Sequence, residues 1–289
     1  MTGMFRTTAV AAGCLGGIGS AVYGLMIEQS KRARRVIGAP AEKPPHADGV
    51  YLPDGTGPLS PAEPRAIDAI RLAVLGDSSA AGLGAECADA LPGVAVARGL
   101  AEESGRPVRL STFAVSGSTS RHLAGQVELA VADRPDVVVA LIGANDVTNL
   151  IPPQVAAGLL ADAVHRLRAF GATVVVGTCP DLGVVRPIRQ PLRGFVHTWS
   201  LTLARFQRTA VRQAGGHTVP LGELLGAEFL ARPDYFSSDQ YHPSGLGYAA
   251  VAAVLLPTVC AAMGVDVSAG ATVIPLPARR SPADLAVAA

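Results

Sequence analysis

The chain has 289 residues, 49% of them apolar and 16% charged, with a formal net charge of +1 and a mean hydropathy of +0.34. This balance excludes a disordered chain and a collagen-like repeat, and it offers no electrostatic footprint for nucleic acid. Four cysteines (Cys14, Cys87, Cys179, Cys260) show no C-x-x-C pair and no histidine at metal-ligand spacing, so neither a zinc site nor a disulfide framework is expected.

In chain order, the first element is a run without charge, Thr7–Ile27, preceded by Arg6 and followed by Glu28 and the basic cluster Lys31, Arg32, Arg34, Arg35. Twenty-one uncharged residues are about enough to span a bilayer. Residues 1–36 are therefore expected to be an apolar membrane anchor or uncleaved signal helix. A helix packed on the soluble domain is the alternative reading. The basic cluster argues for a cytoplasmic domain, whereas a short basic N-terminus before an apolar run resembles an export signal. The expectation leans to the cell-envelope side. Residues 37–66 carry prolines at 40, 44, 45, 53, 58, 61 and 64 and read as an extended linker. Residues 265–289 read as a flexible tail.

Between these, in a domain expected over 67–264, short β-branched runs alternate with helical spacing. Strands are expected at 72–75, 108–115, 137–142, 173–176 and 217–220. Helices are expected at 93–103, 120–132, 153–170, 198–213 and 244–263. Near-continuous apolar strands separated by helices imply an α/β fold, a parallel sheet covered on both faces. Ligands bind such sheets beyond the carboxyl ends of the strands.

Those ends carry the chemistry. The first is followed by Gly76-Asp77-Ser78, the second by Ser116-Gly117, the third by Gly143-Ala144-Asn145-Asp146, and the last helix is preceded by Asp239-Gln240-Tyr241-His242. A serine hydroxyl needs a base to become a nucleophile. His242 has the side chain suited to that near neutral pH, and Asp239 can return in a tight turn to orient it. The N–H groups of Ser78 and Gly117 and the Asn145 amide are the candidate donors to a tetrahedral oxyanion. Asp77 and Asp146 are expected to support their turns. Ala80 stands where a G-x-S-x-G elbow would need glycine, which disfavours the α/β-hydrolase alternative.

These blocks resemble the SGNH (GDSL) hydrolases: G-D-S-x-x-x-G at Gly76–Gly82, the glycine at Gly117, G-x-N-D at Gly143–Asp146, and D-x-x-H at Asp239–His242. The resemblance covers roughly residues 70–264. It implies a flavodoxin-like three-layer α/β/α sandwich with a five-stranded parallel sheet and an acyl-enzyme mechanism without metal or cofactor. Block five departs slightly, continuing His-Pro-Ser-Gly where relatives often carry Asn after Pro. The expected function is a serine esterase acting on short-chain acyl esters through Ser78. The alternatives are a membrane-proximal lipase or lysophospholipase, a carbohydrate O-deacetylase, and a catalytically silent tethered binding protein. Substrates are thus small-molecule, lipid or glycan esters, the membrane is contacted through the N-terminal helix, and oligomeric state is left undefined. His46, His122, His165, His197 and His217 show no carboxylate at a spacing that suggests a second dyad. Arg186, Arg189 and Arg193, in the segment after the fourth strand, read as a solvated loop or as an anion-recognising overhang.

Overall fold

A computed structural model describes residues 22–38 and 43–266. Six strands form one sheet: β1 (Gly49–Tyr51), β2 (Ile70–Gly76), β3 (Val108–Thr112), β4 (Val137–Leu141), β5 (Thr173–Gly177) and β6 (His217–Val219), in the order β1-β3-β2-β4-β5-β6. All neighbouring pairs are parallel except β1 with β3. The helices are α1 (22–37), α2 (Ser78–Ala81), α3 (Pro92–Ser104), α4 (Leu123–Asp133), α5 (Ala144–Thr148), α6 (Pro153–Ala169), α7 (Leu192–Gln213), α8 (Leu221–Ala231) and α9 (Gly245–Ala262).

The period-2 alternation of the strands decides the layers. Leu72, Val74, Val139, Leu141 and Val175 turn to one face, where α3, α8 and α9 cover them. Ala73, Leu75, Val138, Ala140, Val174 and Val176 turn to the other, against α4, α6 and α7. Because β2, β4 and β5 are buried on both sides, they carry hardly any polar residue. α9 is apolar enough over its 18 residues to pass for a membrane span. It packs instead against α3 and the sheet, with Tyr248, Leu255 and Val259 buried.

The structure corrects the expected five-stranded parallel sheet to a six-stranded mixed one. The sixth strand comes from the proline-rich stretch read as a linker. Its prolines stand outside a three-residue strand at the end of the sheet order, whose outer side is bridged by Leu59 through both backbone groups of Val50. The Tyr51 ring is fully buried and its hydroxyl donates to Ala47 O at 2.6 Å. Of the expected apolar N-terminal helix, residues 7–21 lie outside the described residues, as do residues 267–289 of the expected tail. From 22 to 37 the chain is helical, with Ala33 buried against the domain. The short helices α5 and α8 have no strong period in the sequence and were not anticipated.

Candidate active site

The turn after β2 is built from glycine outward. Gly76 has φ 136°, and a Cβ there would lie 1.9 Å from Leu141 O on the neighbouring strand, so only glycine fits. Asp77 then starts α2, its carboxylate accepting the Ser79 N–H at 2.9 Å. Gly82, at φ 80°, ends the helix after one turn. Ser78 thus sits at the carboxyl end of β2 on a short, tightly specified turn. Asp77 is wholly enclosed; burial pushes its pKa up to about 6, against the opposing pull of the Ser79 N–H and His242.

The Ser78 hydroxyl lies 3.0 Å from His242 Nε2, although the two residues are 164 positions apart in the chain. His242 Nδ1 lies 2.6 Å from Asp239 Oδ2. Asp239 Oδ1 accepts three more bonds, from the Ser237 hydroxyl (2.8 Å) and the Tyr241 (2.8 Å) and His242 (2.9 Å) N–H groups. Its partial burial alone would raise the carboxyl. The hydrogen bonds, led by the His242 ring, outweigh burial and hold it at about 2. Tyr241 meets the imidazole edge-on, with ring centroids 4.8 Å apart.

On the other side, Gly117 (φ 84°) is exposed at the turn after β3. Asn145 lies in the first turn of α5, its Nδ2 donating to Ser118 O at 3.0 Å, so the block-two and block-three loops are tied together. Asp146 reinforces that tie by accepting both the N–H (2.9 Å) and the hydroxyl (2.8 Å) of Ser120. Burial raises its pKa. The structure therefore brings Ser78, His242 and Asp239 into one hydrogen-bonded series and joins the Gly117 and Asn145 loops through Ser118.

Several residues of this region escaped the sequence reading. Gln126 of α4 accepts the Gly76 N–H and donates to Gly76 O, both at 2.8 Å. Gln207 of α7 accepts the Cys179 N–H at 2.7 Å and donates to Ile142 O at 3.0 Å. Both glutamines occupy positions within the apolar stripe of their helix, and a polar residue there was the available signal. The histidine expectation needs correction: His197 Nδ1 lies 2.8 Å from Asp181 Oδ2, a His–carboxylate pair that joins α7 to the loop after β5. Sixteen residues apart, the pair shows no recognisable spacing. His122 stays at its helix start, where Nδ1 accepts the Thr119 N–H at 2.9 Å. Arg186 ties the segment after β5 to α8 by donating to Leu230 O, and Arg193, in the first turn of α7, donates back to Ile188 O and Arg186 O.

Beside His242 opens a cavity of about 90 Å³. Asp77, Ser79 and His242 border one part, and Leu182, Val185, Leu225 and Phe229 supply apolar walls.

A serine, an imidazole and a carboxylate in series, at the carboxyl ends of a parallel α/β sheet, define a hydrolase of the serine type. Residues 74–250 match the GDSL-like lipase/acylhydrolase family, and the chain belongs to it: it is a carboxylic ester hydrolase. It is 48% identical over 256 residues to GDSL-like esterase Rv1075c of Mycobacterium tuberculosis, covering 86% of this chain and 81% of that one. Solved structures share the fold. TesA superposes with a TM-score of 0.54 at 24% identity, over 66% of this chain and 99% of its own. The lipase/acylhydrolase from Enterococcus faecalis gives 0.54 at 19% identity, over 69% and 99%. Axe2, an acetylxylan esterase from Geobacillus stearothermophilus, gives 0.50 at 18% identity, over 68% and 94%.

Proposed function

We propose that the protein hydrolyses esters of short- to medium-chain carboxylic acids through an acyl-Ser78 intermediate. The observation that carries this reading is the series Ser78 Oγ, His242, Asp239, at 3.0 and 2.6 Å. His242 Nε2 takes the hydroxyl proton as Ser78 Oγ bonds to the ester carbonyl carbon. The N–H groups of Ser78 and Gly117 and the Asn145 amide receive the negative charge that develops on the carbonyl oxygen. Collapse breaks the ester C–O bond, and the proton held on His242 passes to the departing alkoxide. A water molecule, deprotonated by the same nitrogen, then releases the acid and restores Ser78. Asp239 accepts the Nδ1–H, which keeps Nε2 free for the serine proton and stabilises the imidazolium.

The acyl chain is assigned to the cavity bordered by Ser79 and His242. Its walls are mostly aliphatic and aromatic, which suits an alkyl chain and leaves few partners for the hydroxyls of a sugar. The test is a series of p-nitrophenyl esters from acetyl to lauroyl. Turnover is expected to peak between butyryl and octanoyl, and Ser78→Ala is expected to lose at least ~10³-fold in kcat while keeping its melting temperature. A maximum at acetyl would remove the cavity from the acyl assignment. Undiminished hydrolysis by Ser78→Ala would remove the serine from the mechanism.

A further inference from the structure

α1 is fastened to the start of α7 and to the end of α5. The Gln29 amide donates to Gln190 O at 2.6 Å and accepts the Leu192 N–H at 3.2 Å. Arg34 donates to Thr148 O at 3.3 Å. Between them Ala33 is buried in one cluster with Ala144, Val147, Leu182 and Val185. The first two of these lie in α5 with Asn145, and the last two wall the cavity. The part of α1 that carries Gln29, Ala33 and Arg34 therefore packs against elements that border the site.

The other part points away from any core. Tyr23 is 66% exposed and Leu25 49%, and Val22 and Ile27 are exposed as well. These residues end the uncharged run that begins at Thr7. One turn further on, Lys31, Arg32 and Arg35 are exposed on the same helix. The single acid of this helix, Glu28, is paired with Arg35 at 3.1 Å. An apolar end followed directly by a basic band matches a bilayer with anionic headgroups, acyl region first and phosphates next. A second copy of the chain is a poor occupant, since it would bring the same basic band against itself.

We propose that α1 seats the enzyme on an anionic lipid surface, with the mouth of the site facing the bilayer, so that ester substrate is drawn from the membrane. The last clause rests on the esterase reading; the lipid contact does not. The test uses the full chain with vesicles of phosphatidylcholine alone and of equimolar phosphatidylglycerol and phosphatidylcholine. Co-sedimentation is measured together with hydrolysis of p-nitrophenyl butyrate in solution and p-nitrophenyl laurate dissolved in the vesicles. The protein is expected to favour the anionic vesicles. Lys31→Glu/Arg32→Glu/Arg35→Glu is expected to lose about tenfold in both binding and laurate turnover, with butyrate turnover within about twofold of the parent. Leu25→Asp/Ile27→Asp is expected to lose vesicle binding in the same way. Equal partition into both vesicle types, or laurate turnover undiminished by the charge reversal, overturns the proposal. Absence of butyrate turnover in the parent protein would count against the esterase reading, and co-sedimentation would still decide the lipid contact.

Discussion

Asp77 and Asp239 both interact with His242, yet their surroundings drive them in opposite directions. Asp239 receives four hydrogen bonds and stays ionised down to about 2. Asp77 is fully enclosed, receives the Ser79 N–H, and is raised to about 6. The folded protein therefore holds a proton on Asp77 up to about pH 6, whereas the unfolded chain holds it only to its ordinary value of 3.8. Between these values unfolding releases a proton, so the Asp77 contribution to stability falls as pH rises, by up to about 3 kcal/mol. Asp77→Asn keeps an acceptor for Ser79 and cannot ionise. Urea denaturation at pH 4, 5, 6 and 7 should show the wild type losing stability relative to this variant across the window. A difference that does not change with pH would mean that Asp77 is not strained by burial. Both aspartates were legible as candidates in their motifs. Which of them is destabilised as an anion was not, because that depends on enclosure and on donors from other segments.

At the scale of elements, the nucleophile turn depends on α4 as much as on β2. Gln126 pairs with both backbone groups of Gly76 and also donates to Ser118 Oγ at 3.2 Å, joining the Ser78 turn to the Gly117 loop. Gln126→Leu keeps the size and leaves the Gly76 N–H buried without its partner, while Gly76 O keeps the Val115 N–H at 3.1 Å, a cost of about 2 kcal/mol in unfolding free energy. We expect kcat on a soluble ester to fall by about tenfold, because a small misplacement of the serine relative to His242 slows the proton transfer. Denaturant titration and kcat on the same variant check both parts; loss of stability with kcat intact would confine Gln126 to a structural role. The long helices and the central strands were readable from their periodicity. α5 and α8 were not, since short helices of mixed composition hold through their neighbours and not through their own pattern.

For the whole molecule, the domain begins earlier than its motif-bearing part. A start at residue 67 removes β1, and with it the buried Val50, Tyr51 and Leu52 and the bond from the Thr112 N–H to Asp48 at 2.9 Å. Area alone puts the loss at about 5 kcal/mol, comparable with the net stability of a typical domain. Chains starting at 43 and at 67 should therefore differ sharply: the first melts cooperatively, and the second is largely unfolded or aggregated at 37 °C. Equal melting temperatures for the two would mean that β1 merely decorates the edge of the sheet.

What the sequence determined by itself is local. The apolar alternation of β2, β4 and β5, the glycine at 76 and the four short blocks identify a doubly covered sheet with a serine and a histidine at its carboxyl end. Within each of these signals the residues lie a few positions apart, where spacing translates directly into geometry. The tertiary structure alone decided the rest: a 3.0 Å contact across 164 residues, the antiparallel β1, the His197–Asp181 pair, the raised Asp77 and the packing of α1 against the start of α7 and the end of α5. Each of these depends on which distant segments share a surface, and burial and hydrogen bonding between such segments leave no periodic trace in the chain.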